Sequence, residues 1–296
     1  YFYIILCIKM KYTGFERLNI ELFYTRTDIA EFCYNKFKEV MGQKLNYDTD
    51  LVIEPSAGTG EFSDLIMNDF DNVESYDIHP KRDYMVKQDF TLLDFDNINN
   101  KLENNEITGI HYIGNPPFGR QSNLLKIFIK ICCLNAKSIS FILPKSFKKH
   151  SMYKTFQENF HCVYTYDLDE TSFYLPDGTA HNVPTIFQIW EWKPIIRTSP
   201  AKLYPEGYNF VGLDCNPDFS FRRVGVYAGK LDTDTDKSVQ SHYFIKLNNN
   251  MKNKKNILFQ QLKNITFESN NTVGPKSISK PEVIEKYNNI FNLYKN

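Results

Sequence analysis

An alternation of short apolar runs with helical stretches between residues 51 and 143 narrows the possible folds more than any other feature of this chain. Residues 51–53 are apolar and end in the turn Glu54-Pro55-Ser56-Ala57-Gly58-Thr59-Gly60, after which Phe62, Leu65 and Ile66 recur at helical spacing. A second run, 73–78, is stopped by His79-Pro80; a third, 84–86, leads to Asp89; a fourth, 110–113, ends at Gly114-Asn115-Pro116-Pro117. Residues 124–134 read as a helix and 139–143 as a fifth strand closed by Pro144. Two more strands are expected at 163–168 and 183–192, with the turn signal Pro176-Asp177-Gly178 between them. Strands that alternate with helices predict an α/β fold, a mostly parallel sheet wound on both faces. The last pair, joined by a turn instead of a helix, predicts an antiparallel edge strand.

The flanks differ in character. Residues 1–45 form an N-terminal, helix-rich segment in which Asp28 is placed to cap a helix carrying Ile29, Phe32, Cys33 and Phe37. Residues 1–8 are almost all apolar but too few to span a bilayer, and no cleavage site follows. Because the chain starts with Tyr1 and Met10 precedes a soluble-looking segment, residues 1–9 are expected to be a fragment edge or an upstream extension. Residues 46–195 hold the alternating pattern. From residue 196 prolines punctuate the chain, at 200, 205 and 217, and a smaller α+β appendage is expected over 196–296, with residues 248–255 as an exposed loop of low complexity.

Composition excludes some partners. With 42% apolar and 15% aromatic residues the chain can build a core. Lys+Arg and Asp+Glu both total 35, so any grip on phosphates must come from local patches, not from a general positive field. The six cysteines, at 7, 33, 132, 133, 162 and 215, contain no Cys-x-x-Cys pair. They read as reduced core thiols of an intracellular, cytoplasmic protein with no metal site.

Three motifs carry chemistry. Gly58 and Gly60 end the first strand, where glycine lets a backbone approach a ligand; a nucleotide or cofactor turn and a plain tight turn both fit. Asp77 lies 17 residues beyond Gly60 at the next strand end, near the usual place of a carboxylate that takes ribose hydroxyls, and Asp89 with Phe90 ends the third strand. In open α/β sheets ligands sit at the carboxyl ends of successive strands. Asn115-Pro116-Pro117-Phe118 suits one reaction in particular. An exocyclic amine on a base is a poor nucleophile because its lone pair is delocalised into the ring. The Asn115 oxygen and the Pro116 carbonyl can accept both amine N–H groups and localise that pair. The prolines fix the turn, and Phe118 can stack on an extruded base.

These motifs, in the order Phe23-Tyr24-Thr25, Glu54 through Phe62, Asp77, Asp89-Phe90 and Asn115 through Phe118, resemble the S-adenosylmethionine-dependent amino (N6-adenine) methyltransferases of γ-type order. Phe141-Ile142-Leu143-Pro144-Lys145-Ser146-Phe147, Asn182 through Trp190 and Phe221-Arg222-Arg223-Val224-Gly225 are similar to a phage and bacterial DNA-methylase group, and the likeness continues more faintly from Gly274 to Ser279. The resemblance implies a class I, Rossmann-like methyltransferase domain over 46–195 and the appendage as target-recognition region. It implies that Tyr24 and Thr25 cover the methionine part of the cofactor, with Glu54, Ser56, Gly58 and Gly60 lining its centre. Asp77 would take its ribose and Asp89 with Phe90 its adenine, while Asn115, Pro116, Pro117 and Phe118 hold the target amine. The common fourth motif residue is Tyr, and Phe118 keeps stacking but softens the choice of DNA over RNA. Lys145, Arg222 and Arg223 are candidates for phosphate contact as well as for solvated charge. Phe173 and Tyr174 fit either a pinch on the flipped base or core packing. DNA adenine methylation leads, with RNA methylation, protein-glutamine methylation and a non-enzymatic binding module as the competing readings.

Overall fold

The structure, a computed structural model, describes residues 23–169, 171–198, 201–267 and 276–294. The expectations for residues 1–9, for Cys7 and for Gly274-Pro275 lie outside the described residues. The chain groups into two compact units, residues 1–198 and 199–296.

The first unit runs β1 (Tyr24–Thr25), α1 (Thr27–Met41), β2 (Asp50–Glu54), α2 (Glu61–Ile66), β3 (Asn72–Asp77), β4 (Val86–Lys87), α3 (Asp96–Glu103), β5 (Gly109–Gly114), α4 (Asn123–Cys132), β6 (Ser138–Pro144), β7 (Phe160–Asp167), β8 (Phe173–Tyr174), β9 (Ala180–His181) and β10 (Thr185–Trp192). Seven strands form one sheet in the order β4-β3-β2-β5-β6-β10-β7. The first five are mutually parallel, and β10 is antiparallel to both β6 and β7. Every residue of β2, β5 and β6 is buried, the apolar ones on both faces together with the polar Asp50, Glu54, His111, Ser138 and Ser140.

Several details depart from expectation. The antiparallel strand is present but lies one place in from the edge. β10 is buried at every residue except Trp192 and needs a neighbour on each side, whereas β7 is half-exposed and tolerates the edge. The third strand is Val86–Lys87, because Tyr84 instead hydrogen-bonds Asp64. Asp28 does not cap α1; the N-cap residue is Arg26, whose guanidinium takes the Asp28 carboxylate at 2.8 Å. The α1 face of Ala30, Cys33, Tyr34, Phe37 and Met41 packs into the core, so α1 is part of this unit and not of a separate N-terminal segment.

At the amino ends of the central strands a buried polar chain fixes register. Asp50 Oδ2 lies 3.2 Å from His111 Nε2, and His111 Nδ1 lies 2.7 Å from Ser138 Oγ. Burial opposes charge on Asp50, yet bonds from His111, Asn46 and Thr108 hold its carboxyl below the usual range; burial also lowers His111.

The second unit is α+β. Its antiparallel sheet has the order β11-β14-β12-β13, from β11 (Tyr208–Val211), β12 (Phe219–Arg222), β13 (Leu231–Asp232) and β14 (His242–Leu247). Helices α5 (Lys255–Leu262) and α6 (Lys280–Asn292) share a core with it that includes Tyr208, Phe221, Leu258 and Tyr287. Residues 248–255 are not an open loop: they wind into a helical turn that buries Met251 and lead into α5, with Lys255 paired to Asp218 at 2.8 Å. Cys33, Cys132 and Cys133 are buried free thiols as expected, but Cys215 is exposed. Among the described residues no helix is long and apolar enough to cross a membrane, and no cluster of side chains is suited to a metal ion.

Candidate active site

The sheet order reverses between β2 and β5, since the chain continues from β2 toward β3 and β4 on one side and from β5 toward β6 on the other. At such a switch point the connections diverge and leave a crevice beyond the carboxyl ends. Here the strand ends converge closely. Gly114 has φ +147°, and a Cβ on it would stand 3.2 Å from Glu54 Cγ.

The Gly turn is shaped by hydrogen bonds to β3. The Ala57 N–H donates to the Tyr76 carbonyl at 2.9 Å, and the Gly58 N–H donates to Asp77 Oδ2 at 2.8 Å. The other Asp77 oxygen takes the His79 N–H at 2.7 Å. Gly58 and Gly60 adopt φ +54° and +94°, conformations glycine enters at little cost. Glu54 is buried behind the turn and accepts the Ser63 N–H at 2.8 Å together with the Ser63 hydroxyl, which clamps α2 to β2. Burial pushes its carboxyl well above the usual range, the Ser63 bonds opposing and the charges of Asp77 and Asp64 adding to the rise.

A second layer arrives from distant sequence. β1 pairs with β8 in register Tyr24↔Tyr174 and Thr25↔Phe173, in a small sheet with β9. The Tyr24 and Tyr174 rings lie 5.6 Å apart, Tyr174 Oη is 3.4 Å from Thr59 Oγ1, and Thr27 Oγ1 donates to Glu61 Oε2 at 2.7 Å. The resulting cleft is lined by Phe23, Tyr24, Thr25, Glu54, Ser56, Ala57, Gly58, Thr59, Glu61, Phe62 and Asn115. Of these, the sequence assigned no role to Phe23, Ala57, Thr59, Glu61 and Phe62, although each lies within or beside a motif it picked out.

Asn115 closes the cleft on the β5 side. Its Nδ2 donates to Thr25 Oγ1 at 3.1 Å, and its backbone carbonyl accepts from Ser56 Oγ at 3.3 Å. Asn115 Oδ1 is buried without a hydrogen-bond partner among the described residues.

Other expected site residues lie elsewhere or face away. Pro116 is buried and Pro117 half-buried after Asn115. Phe118 is 2% exposed and packs edge-on against Phe23 at 5.5 Å, so its ring belongs to the core cluster here. Phe173 is wholly buried, 5.0 Å from Phe23, while Tyr174 stays half-buried beside Tyr24. Asp89 lies outside the cleft lining, and its Oδ1 accepts the Thr91 N–H and hydroxyl at 2.9 and 2.7 Å. Phe90 is 2% exposed and stacked on Phe128 at 5.3 Å. Lys145 pairs with Asp167 at 3.2 Å, an acid it shares with Lys148. In the second unit the Arg222 guanidinium donates to the Val224 carbonyl at 2.9 Å, and that of Arg223 donates to the Gln240 carbonyl at 2.7 Å and lies over the Tyr243 ring.

The strand order and a cleft at its switch point define a Rossmann-like, mostly parallel α/β domain. No family model matches the chain, and no curated protein matches its sequence. Among solved structures it is similar to a Pyrococcus horikoshii protein assigned as an RNA methyltransferase, at 13% identity over 66% of this chain and 98% of that one, with a TM-score of 0.40. The 23S rRNA methyltransferase ErmE is also similar, at 13% identity over 61% of this chain and 73% of its own, with a TM-score of 0.36. A SAM-dependent methyltransferase from Anabaena variabilis gives 12% identity, 58% and 88% coverage and a TM-score of 0.38.

Proposed function

We propose that this chain is an S-adenosylmethionine-dependent methyltransferase acting on the exocyclic N6 amine of adenine in DNA. The observation that carries the reading is Asn115 Oδ1, a buried acceptor with no donor among the described residues, on a residue that lines a cleft built on the Gly turn. Leaving a buried acceptor unmatched costs about 1–3 kcal/mol. An amine N–H arriving there recovers that cost.

The cleft fits the cofactor. Gly58 lines it and lets the Tyr24 ring lie against the turn, where a Cβ would meet that ring at 3.2 Å, while Gly60 and Asp77 stand outside the lining, Gly60 against Tyr84 and Asp77 behind the turn at the end of β3. When bound, the cofactor supplies an electrophilic methyl group on a sulfonium. The protein's part is alignment. Asn115 Oδ1 accepts one amine N–H, and the Pro116 carbonyl, its direction fixed by Pro117, is the second acceptor. Together they favour a pyramidal nitrogen with a localised lone pair. The amine proton is lost after transfer, so no general base has to act first, and proximity supplies most of the rate. Phe23, half-buried in the cleft wall, offers the base an aromatic surface beside Phe118. Residues 199–296 are proposed to recognise the target.

The test is transfer of tritiated methyl to duplex DNA, single-stranded DNA, RNA and protein, with digestion to nucleosides and amino acids. N6-methyladenine from DNA is the expected product. Label confined to RNA moves the substrate, label on glutamine refutes a nucleic-acid target, and no label on any of them ends the reading.

A further inference from the structure

Thr25 sits in β1, ninety residues from Asn115 in sequence, and is 6% exposed. The resemblance gives it a place over the cofactor. The geometry gives it a different task. The Asn115 side chain has two faces, an oxygen that accepts and an NH2 that donates. An amine N–H can be held only by the oxygen; the NH2 in the same place would point hydrogen at hydrogen. The contact at 3.1 Å from Asn115 Nδ2 to Thr25 Oγ1 places the donor end against β1 and leaves Oδ1 as the buried, unpartnered atom.

Thr25 is itself held firmly. It is paired with Phe173 across the β1–β8 ladder, and the next residue donates its N–H to the Ser172 carbonyl at 3.1 Å. On the other side the Asn115 carbonyl is fixed by Ser56 Oγ. The amide therefore hangs between two rigid supports, one in β1 and one in the turn after β2.

We infer that Thr25 is a positioning residue: its hydroxyl accepts the Asn115 Nδ2–H and so keeps Asn115 Oδ1 as the unpartnered atom, the acceptor for the target amine. The catalytic consequence rests on the adenine-amine reading, but the amide contact does not. Thr25→Val keeps the shape and removes the acceptor, and Thr25→Ser restores it.

Two measurements separate the two ideas. In 15N-labelled protein the Asn115 NH2 pair is identified by its absence from Asn115→Ala. Its exchange with water should be slowed in the native chain, accelerated in Thr25→Val and slowed again in Thr25→Ser. Equal exchange in all three overturns the inference whatever the activity. In methyl transfer, Thr25→Val should lower kcat about tenfold to a hundredfold, the scale of a misplaced reacting group, with cofactor Kd unchanged and kcat recovered in Thr25→Ser. A loss of cofactor affinity with unchanged kcat would return Thr25 to the role of cofactor cover. A native chain that shows the exchange pattern but methylates no nucleic acid sinks the adenine reading alone.

Discussion

The Gly58 amide donates to Asp77 Oδ2 over 2.8 Å, so the first glycine of the turn and the acid at the end of the next strand form one unit. The remaining Asp77 oxygen takes the His79 N–H. A carboxylate has about four lone-pair sites, so Asp77 keeps capacity for ligand hydroxyls while holding the turn.

Substituting Asp77→Ala therefore removes a ligand acceptor and a support of the turn together. Cofactor affinity should fall at least about tenfold, equivalent to ~1.4 kcal/mol, as read by calorimetry. Unchanged affinity would take Asp77 out of the ribose site.

Asn115→Ala has the opposite signature. It deletes the amine acceptor but leaves the floor of the cleft, so methyl transfer should drop by about a hundredfold or more while cofactor binding persists. A variant that methylates at the native rate would show that Asn115 does not hold the amine.

Glu54 makes a pH prediction. Its carboxyl is raised by burial in the folded state, from an ordinary value of 4.5, so above that value the native protein holds a proton that the unfolded chain releases. Stability must then decline as pH rises from 4.5 toward the folded value. Glu54→Gln should retain an acceptor for the Ser63 N–H and flatten that slope, measured by urea unfolding between pH 5 and 8. An identical slope in both proteins would exclude Glu54 as its source.

Arg197 is a structural staple that sequence gave no reason to notice. Its guanidinium donates to the carbonyls of Tyr153, Phe156, Gln157 and Phe160 at 2.5–2.9 Å. Arg197→Ala should cost about 2–4 kcal/mol in chemical denaturation, and Arg197→Lys should recover only part, because an ammonium cannot span four acceptors in a plane. A loss below ~0.5 kcal/mol would mean that water replaces those bonds.

Much of the first unit was legible because its strands are buried on both faces. Residues 51–53 form an unbroken apolar run, 110–113 and 139–143 are apolar apart from His111 and Ser140, and each lies within a strand of the central sheet. The reading was weaker where polar residues are buried or apolar ones are spent elsewhere. His111, Asp50 and Ser138 look like surface residues but satisfy one another inside the sheet. Phe90, Phe118 and Phe173 look like ligand-facing rings, yet they pack against aromatic neighbours. Hydrophobic character tells that a ring leaves water, not which surface receives it.

The sequence by itself determined the strand–turn–helix alternation, the glycines that turn the chain after β2 and the Asn-Pro-Pro stop after β5, since propensity, period and backbone sterics are local properties. Only the tertiary structure decided that β10 enters between β6 and β7, that β1 pairs with β8, and that Thr25 meets Asn115. Those contacts join residues far apart along the chain, and they form only when burial of the sheet brings their strands to one end of it.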